Sequence, residues 1–303
     1  MKLGIIGAAG RRGTLAAYAA AMKGCFSEIK LFDDRANAAA AVAMDLNQAL
    51  TLSSAVEVRA VSSISEMSDC KVILSVYSVN YQDVKDRQKE AEMNYELAVK
   101  ACAELKTHCS DSVIMVSVNP VDSFVYLYRE LLGCEPGRVI GVGASDTIRF
   151  KWALSKVTGL PASAFDALCA GKTGHGIQLY GDISRNGEPF SLSETDQKQV
   201  EELCVGWFKD WAAQKAGLTA DCTLSSAFAE MAEAVALDSK RTFACSTVLA
   251  ERLGYKGCSM NFNVVLGANG AEDIIIPKVS DDEDGFLKLF AGKINESISS
   301  IRG

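Results

Sequence analysis

The sequence predicts an α/β protein: a doubly wound parallel sheet followed by a mixed α+β second domain. Three observations carry that prediction. Short β-branched runs alternate with Ala/Leu-rich stretches of helical spacing through the first half. A glycine-rich turn joins the first run directly to the first helical stretch. Near Asp146 the regular alternation gives way to a less uniform pattern, which places the division between residues 1–145 and 146–303.

Taken in order, the expected strands of the first domain are Lys2 to Ile6, Glu28 to Phe32, Val56 to Ala60, Val72 to Val76, Val113 to Ser117 and Arg138 to Val142. The helices between them are Thr14 to Lys23, Ala36 to Leu50, Val84 to His108 and Val121 to Leu132. Right-handed crossovers between parallel strands then fix one twisted sheet. The second domain is read as a helix from Ile148 to Thr158, a strand-like run from Phe165 to Ala170, a glycine-rich loop, and an alternating segment around Ile177 to Ile183. Helices from Glu194 to Ala216 and from Ser226 to Leu253 follow, then strands Asn263 to Leu266 and Ala271 to Pro277, and a last helix from Asp281.

Composition narrows the function classes. The 303 residues suffice for a large core, and five prolines among an apolar fraction of 49% leave no room for a long disordered tract. A net charge of −7, with an isoelectric point near 5.1, argues against nucleic acid or an anionic membrane as a general partner. No apolar run reaches the length of a membrane span, and no signal peptide or anchor is expected. Ten cysteines without CxxC pairing read as reduced core thiols, hence a reducing, cytoplasmic setting and no metal.

The loop Gly7-Ala8-Ala9-Gly10-Arg11-Arg12-Gly13 carries the first chemistry. Gly7 permits a tight turn, Gly10 lets backbone amides approach a pyrophosphate, and Gly13 lets the helix pack against the strand. Asp33 follows 20 residues later at the end of the second strand, where a carboxylate accepts from ribose hydroxyls and repels a 2′-phosphate. That combination predicts a Rossmann-type site for NAD; Arg35 keeps NADP open. Arg11 and Arg12, two cations in a first helical turn, oppose the helix dipole, and a bound pyrophosphate would relieve this; solvated side chains are the alternative.

Four further segments stand at strand ends: Ser75 to Arg87, Val118-Asn119-Pro120-Val121-Asp122, Gly141 to Arg149, and Gly171-Lys172-Thr173-Gly174-His175-Gly176. With the glycine loop, Asp33, Asp45-Leu46, the Asp-x-x-Arg pair of Asp146 and Arg149, and the Val264-Val265-Leu266-Gly267-Ala268-Asn269-Gly270 turn, the chain resembles the lactate and malate dehydrogenase family over nearly its whole length. The resemblance implies an NAD-dependent oxidoreductase that interconverts a small 2-hydroxy acid and its 2-oxo acid, working as a homodimer or homotetramer. Arg149 then looks like the carboxylate clamp, Arg87 like a lid arginine, and Asn119 like a residue that contacts both substrate and nicotinamide. Val76 falls beside the cofactor, and Asp146 matches the carboxylate that pairs with a catalytic histidine.

At that histidine the chain departs from the pattern. Counting from Asp146 without gaps, Thr173 occupies the position and His175 follows two residues later. A two-residue loop adjustment would bring His175 to the same point; without it Thr173 stays there and the usual proton transfer is lost. The residue that sets substrate choice falls on Tyr81, with Asn80 or Gln82 as alternatives and Lys85 as the nearby cation. Tyr77 stands where the family has a small glycine. A protein that kept NAD binding but lost or changed the chemistry, serving as a binding module or acting on another substrate, is the competing reading.

Overall fold

The computed structural model describes residues 1–79, 84–217 and 220–303. Six strands, β1 (Lys2–Ile6), β2 (Glu28–Phe32), β3 (Glu57–Ala60), β4 (Val72–Ser75), β5 (Val113–Val116) and β6 (Val139–Gly141), run parallel in the order β3-β2-β1-β4-β5-β6. The chain order reverses between β1 and β4, which is where such sheets open a crevice at their carboxyl ends. Four helices connect these strands: α1 (Arg11–Ala21), α2 (Ala36–Leu50), α3 (Arg87–His108) and α4 (Val121–Leu132). Because helices cover both faces, the central strands are apolar throughout: Val72, Ile73 and Leu74 of β4 and all of β5 are buried.

The second half adds α5 (Ser145–Thr158), short strands β7 (Phe165–Asp166) to β11 (Glu188–Pro189), α6 (Glu194–Ala213) and α7 (Asp221–Ala236). It ends with β12 (Arg241–Thr247), β13 (Met260–Gly267), β14 (Gly270–Ile274) and α8 (Asp281–Arg302). Strands β12 to β14 are antiparallel and extend the parallel sheet to nine strands, joining it where Ser246 pairs with Gly141. A smaller core, with Phe150, Leu154, Phe165, Ile183 and Val200, lies under α5 and α6, apart from the main core along the sheet.

The stretch from Ser226 to Leu253, read from sequence as one helix, is instead the end of α7, strand β12 and a 3-10 turn over Val248–Leu253. The helix stops because Asp238 and Lys240 take positive φ (51° and 56°), backbone that a helix cannot continue through. Beyond them Arg-Thr-Phe-Ala-Cys-Ser-Thr pairs along its whole length with β13. Helix starts also moved: α1 begins at Arg11, three residues earlier than read, and α5 at Ser145. The Phe165 to Ala170 run is two short strands, β7 and β8 (Cys169–Ala170).

All ten cysteines are free; seven are buried, Cys25 and Cys134 are half-buried, and Cys222 is exposed. Among the described residues no helix is long and apolar enough to cross a membrane.

Candidate active site

At the carboxyl end of β1 the chain turns through the glycine loop. Gly7 has φ +84°, and a Cβ there would lie 3.0 Å from the backbone of Tyr77, so only glycine lets the segment after β4 pass this close. A Cβ on Gly13 would lie 2.7 Å from both Ala8 Cα and Gly7 O, which fixes how tightly α1 docks on the loop. Gly10 differs. Its Cβ would meet only Gly7 O, at 3.5 Å, so the space in front of it is open. No side chain caps the start of α1 and no acid sits in its first turn, leaving amide donors and a positive dipole end for an anion.

Asp33, nearly buried at the end of β2, holds the loop from the other side: one carboxylate oxygen accepts from Ala9 N (3.0 Å), the other from the Arg35 backbone N and side-chain Nε (3.1 and 3.2 Å). Beside it the Tyr77 hydroxyl donates to Asp34, and the Tyr77 ring meets Phe32 edge-on. Burial, then the Asp34 carboxylate, push the phenol's pKa up, so it stays a donor. An open glycine cradle, an uncapped helix start and an acid at the neighbouring strand end fit a dinucleotide.

The two loop arginines face the second half of the chain. Arg12 Nε donates to Asp221 at the start of α7 (2.9 Å) and its Nη1 to Ser117 O (2.7 Å), while Arg11 lies 3.9 Å from the other Asp221 oxygen. Arg12 therefore ties α1, α7 and the end of β5 together. With Val76, Ser117, Leu224 and Phe228 it lines a closely packed crevice too tight for a water molecule.

On the other side of the crevice, Asp146 and Arg149 occupy the first turn of α5. Asp146 accepts from Arg149 (3.1 Å) and from Gly174 N (2.6 Å), and the Arg149 guanidinium lies 4.6 Å above the Trp207 ring of α6. An arginine fixed between a carboxylate and an aromatic face keeps further N–H groups in one plane for a ligand carboxylate.

The 171–176 loop closes this wall. Thr173 donates through both N and Oγ1 to Asp122 (2.8 Å each), and Ser246 Oγ donates to Asp122 at 2.6 Å. Asp122 is buried, and burial raises its pKa to about 6 against the pull of Ser246, Thr173 and Lys172. His175 is exposed; its backbone N donates to Lys172 O, and no side-chain hydrogen bond holds its ring among the described residues. Thus Thr173, not His175, is the inner residue of the loop, and Asp146 receives Gly174 N where an imidazole was expected.

Arg87 begins α3, is mostly exposed, and pairs with Glu90 at 2.8 Å. Asn119 is exposed at the end of β5. Tyr81, Asn80 and Gln82 lie outside the described residues; Lys85, just beyond them, is exposed with φ +56°. Sequence reasoning gave no role to Asp122, Asp221 or Trp207. Asp122 had one signal, a carboxylate in the first turn of α4 directly behind Asn-Pro-Val; the other two had none.

A doubly wound sheet with a glycine loop and an acid at the end of the second strand defines a dinucleotide-binding architecture. The comparisons with known proteins sharpen this. Residues 1–141 match the family described as lactate/malate dehydrogenase, NAD binding domain. A malate dehydrogenase of Nitratiruptor sp. is 30% identical over 99% of this chain and 96% of its own length. The chain belongs to the lactate/malate dehydrogenase family. Two solved structures share its fold: Cryptosporidium parvum malate dehydrogenase (24% identity, TM-score 0.88, covering 99% and 98% of the two chains) and a lactate dehydrogenase from a Medee basin deep-sea metagenome library (19%, TM-score 0.89, 100% and 99%).

Proposed function

We propose that this chain is an NAD-dependent dehydrogenase that interconverts a small 2-hydroxy acid and its 2-oxo acid. The observation that carries the reading is Arg149, held by Asp146 and Trp207 across the crevice from an open dinucleotide cradle. Family membership supports it.

In this reading Gly7, Gly10 and Gly13 shape the cradle, the start of α1 receives the pyrophosphate, and Asp33 receives the adenosine ribose. Arg11 and Arg12 act through Asp221 to set that helix end. Val76 and Asn119 border the nicotinamide position. NAD supplies the hydride acceptor, and NADH the hydride. Arg149 grips the substrate carboxylate with two parallel hydrogen bonds, and Arg87 polarises the reacting carbonyl when its segment folds over the substrate. The 171–176 loop, with Thr173 inward and His175 outward, carries the proton donor beside Asp146. Residues 146–303 form the substrate half, and Tyr81 sets which 2-oxo acid fits. The same reading makes the protein a cytoplasmic homo-oligomer.

Substrate choice tilts two ways. The identity to a malate dehydrogenase favours a dicarboxylate, and Lys85 could meet its second carboxylate; the absence of a cation at Tyr81, Asn80 or Gln82 favours a monocarboxylate. The exposed ring of His175 favours a second reading, an NAD-binding protein that has lost this chemistry.

A panel of oxaloacetate, pyruvate and branched 2-oxo acids with NADH, followed by loss of nicotinamide absorbance, separates the two. Turnover of one member with a kcat/KM of at least about 10⁴ M⁻¹s⁻¹ is expected. Tight NADH binding with no turnover on any member would sink the dehydrogenase reading.

A further inference from the structure

The geometry points to Thr173 Oγ1 as the group that protonates the substrate's reacting oxygen, with the buried Asp122 carboxyl behind it as the positioning residue that holds the exchangeable proton. This rests on the dehydrogenase reading above.

Thr173 is the only residue of the loop whose backbone and hydroxyl both point at a carboxyl group among the described residues. Its hydroxyl has one proton. While Asp122 is ionised that proton is donated to Asp122 Oδ1; once Asp122 is protonated the carboxyl can donate instead, and the threonine proton is released toward the crevice.

The surrounding hydroxyls accommodate both states. Ser259 Oγ donates to the Asp122 carbonyl (2.5 Å), and Ser246 Oγ lies 3.1 Å from Ser259 Oγ and 2.6 Å from Asp122 Oδ1. Ser246 can keep donating to Asp122 when the carboxyl is protonated, which leaves the single acid proton for Thr173 Oγ1. Ser246 and Ser259 keep a partner in either state, so neither buried serine is left unpaired.

Asn261 adds an independent sign. Its Oδ1 is buried without a hydrogen-bond partner, while Nδ2 donates to Cys169 O. A Cβ on Gly143 would lie 2.9 Å from that oxygen and 3.0 Å from Thr173 Oγ1, so the orphaned acceptor and the hydroxyl flank the same point.

Among the described residues, few charged and titratable groups act on Asp122. Lys172 of the loop favours the anion, the Cys258 thiol stays neutral because burial raises its pKa, and β12 presents only the Ser246 hydroxyl. Burial dominates, and the resulting value of about 6 places the proton within reach of neutral pH.

In reduction, the substrate oxygen takes the proton of Thr173 Oγ1 as the carbonyl carbon takes the hydride. Thr173 Oγ1 takes the proton of the Asp122 carboxyl, which is left as carboxylate. Oxidation reverses each transfer.

Four variants, read by kinetics and by infrared spectroscopy, test this. Thr173→Val should lower the reduction rate by about 100-fold or more, a larger loss than in His175→Ala, with NADH affinity unchanged, and Thr173→Ser should restore most of it. In the wild type the reduction rate should fall as pH rises through about 6, and that limb should vanish in Asp122→Asn. The reverse order of losses, His175→Ala below Thr173→Val, would overturn the assignment. Infrared difference spectra, which need no turnover, should show one protonated carboxyl lost through the same pH range, absent in Asp122→Asn and displaced in Thr173→Val. A wild-type spectrum without that band overturns the role of Asp122 even if the 2-oxo acid panel succeeds; the band with a silent panel leaves the proton unit standing and removes the dehydrogenase reading.

Discussion

Arg149 owes its aim to two neighbours of opposite character. Asp146 fixes one edge of the guanidinium by charge, and Trp207 fixes its plane by stacking. Lysine could keep the first contact but not the planar fork. Arg149→Lys is therefore expected to raise KM for the 2-oxo acid by about 10²-fold with a smaller change in kcat, as loss of one bidentate pair implies. Steady-state kinetics on the panel's best substrate would check it; an unchanged KM would remove Arg149 from the substrate. The pair was legible in the sequence because Asp146 and Arg149 are three residues apart on one helix. Asp122 and Thr173 lie 51 residues apart and Arg12 and Asp221 lie 209 apart; no local pattern marks such partners before the chain has folded.

At the scale of elements, α1 and α7 are joined end to end by charge. Asp221 is almost wholly buried and receives Arg12, with Arg11 close by. Removing one member of a buried pair strands the other, at a cost of about 3–5 kcal/mol. Asp221→Asn should thus lower stability by roughly that amount in urea titration, and Arg12→Met with Asp221→Leu should recover much of it. A loss under about 1 kcal/mol in the single variant would show that the pair is solvated.

The parallel strands were readable because each is a compact β-branched run between helical stretches. Strand β12 was not, because it follows the alanine-rich α7 after only four residues, and its Arg-Thr-Phe-Ala-Cys-Ser-Thr run is half polar. What makes it a strand is β13, which the sequence places beyond another turn.

Over the whole molecule, one nine-stranded sheet runs from the strands that carry the glycine loop to β12–β14. Asp122 sits where α4, β12 and the 171–176 loop meet, and its folded pKa of about 6 exceeds the ordinary 3.8. The native state therefore keeps a proton that the unfolded chain has given up between those values. Stability attributable to this group is greatest at low pH, falls as pH rises through about 6, and costs about 3 kcal/mol above it. Asp122→Asn, which cannot ionise, should raise the melting temperature more at pH 8 than at pH 5. A pH-independent difference would show that Asp122 is not protonated in the folded state.

The cysteines have one further consequence. With Cys222 alone exposed, two thiols half-covered and seven in the core, the chain carries its own clock for opening. A membrane-permeant or small alkylating reagent meets one sulfur in the native protein at once, and the core sulfurs only when the packed layers part. The order in which mass is added records which layer of the fold yields first.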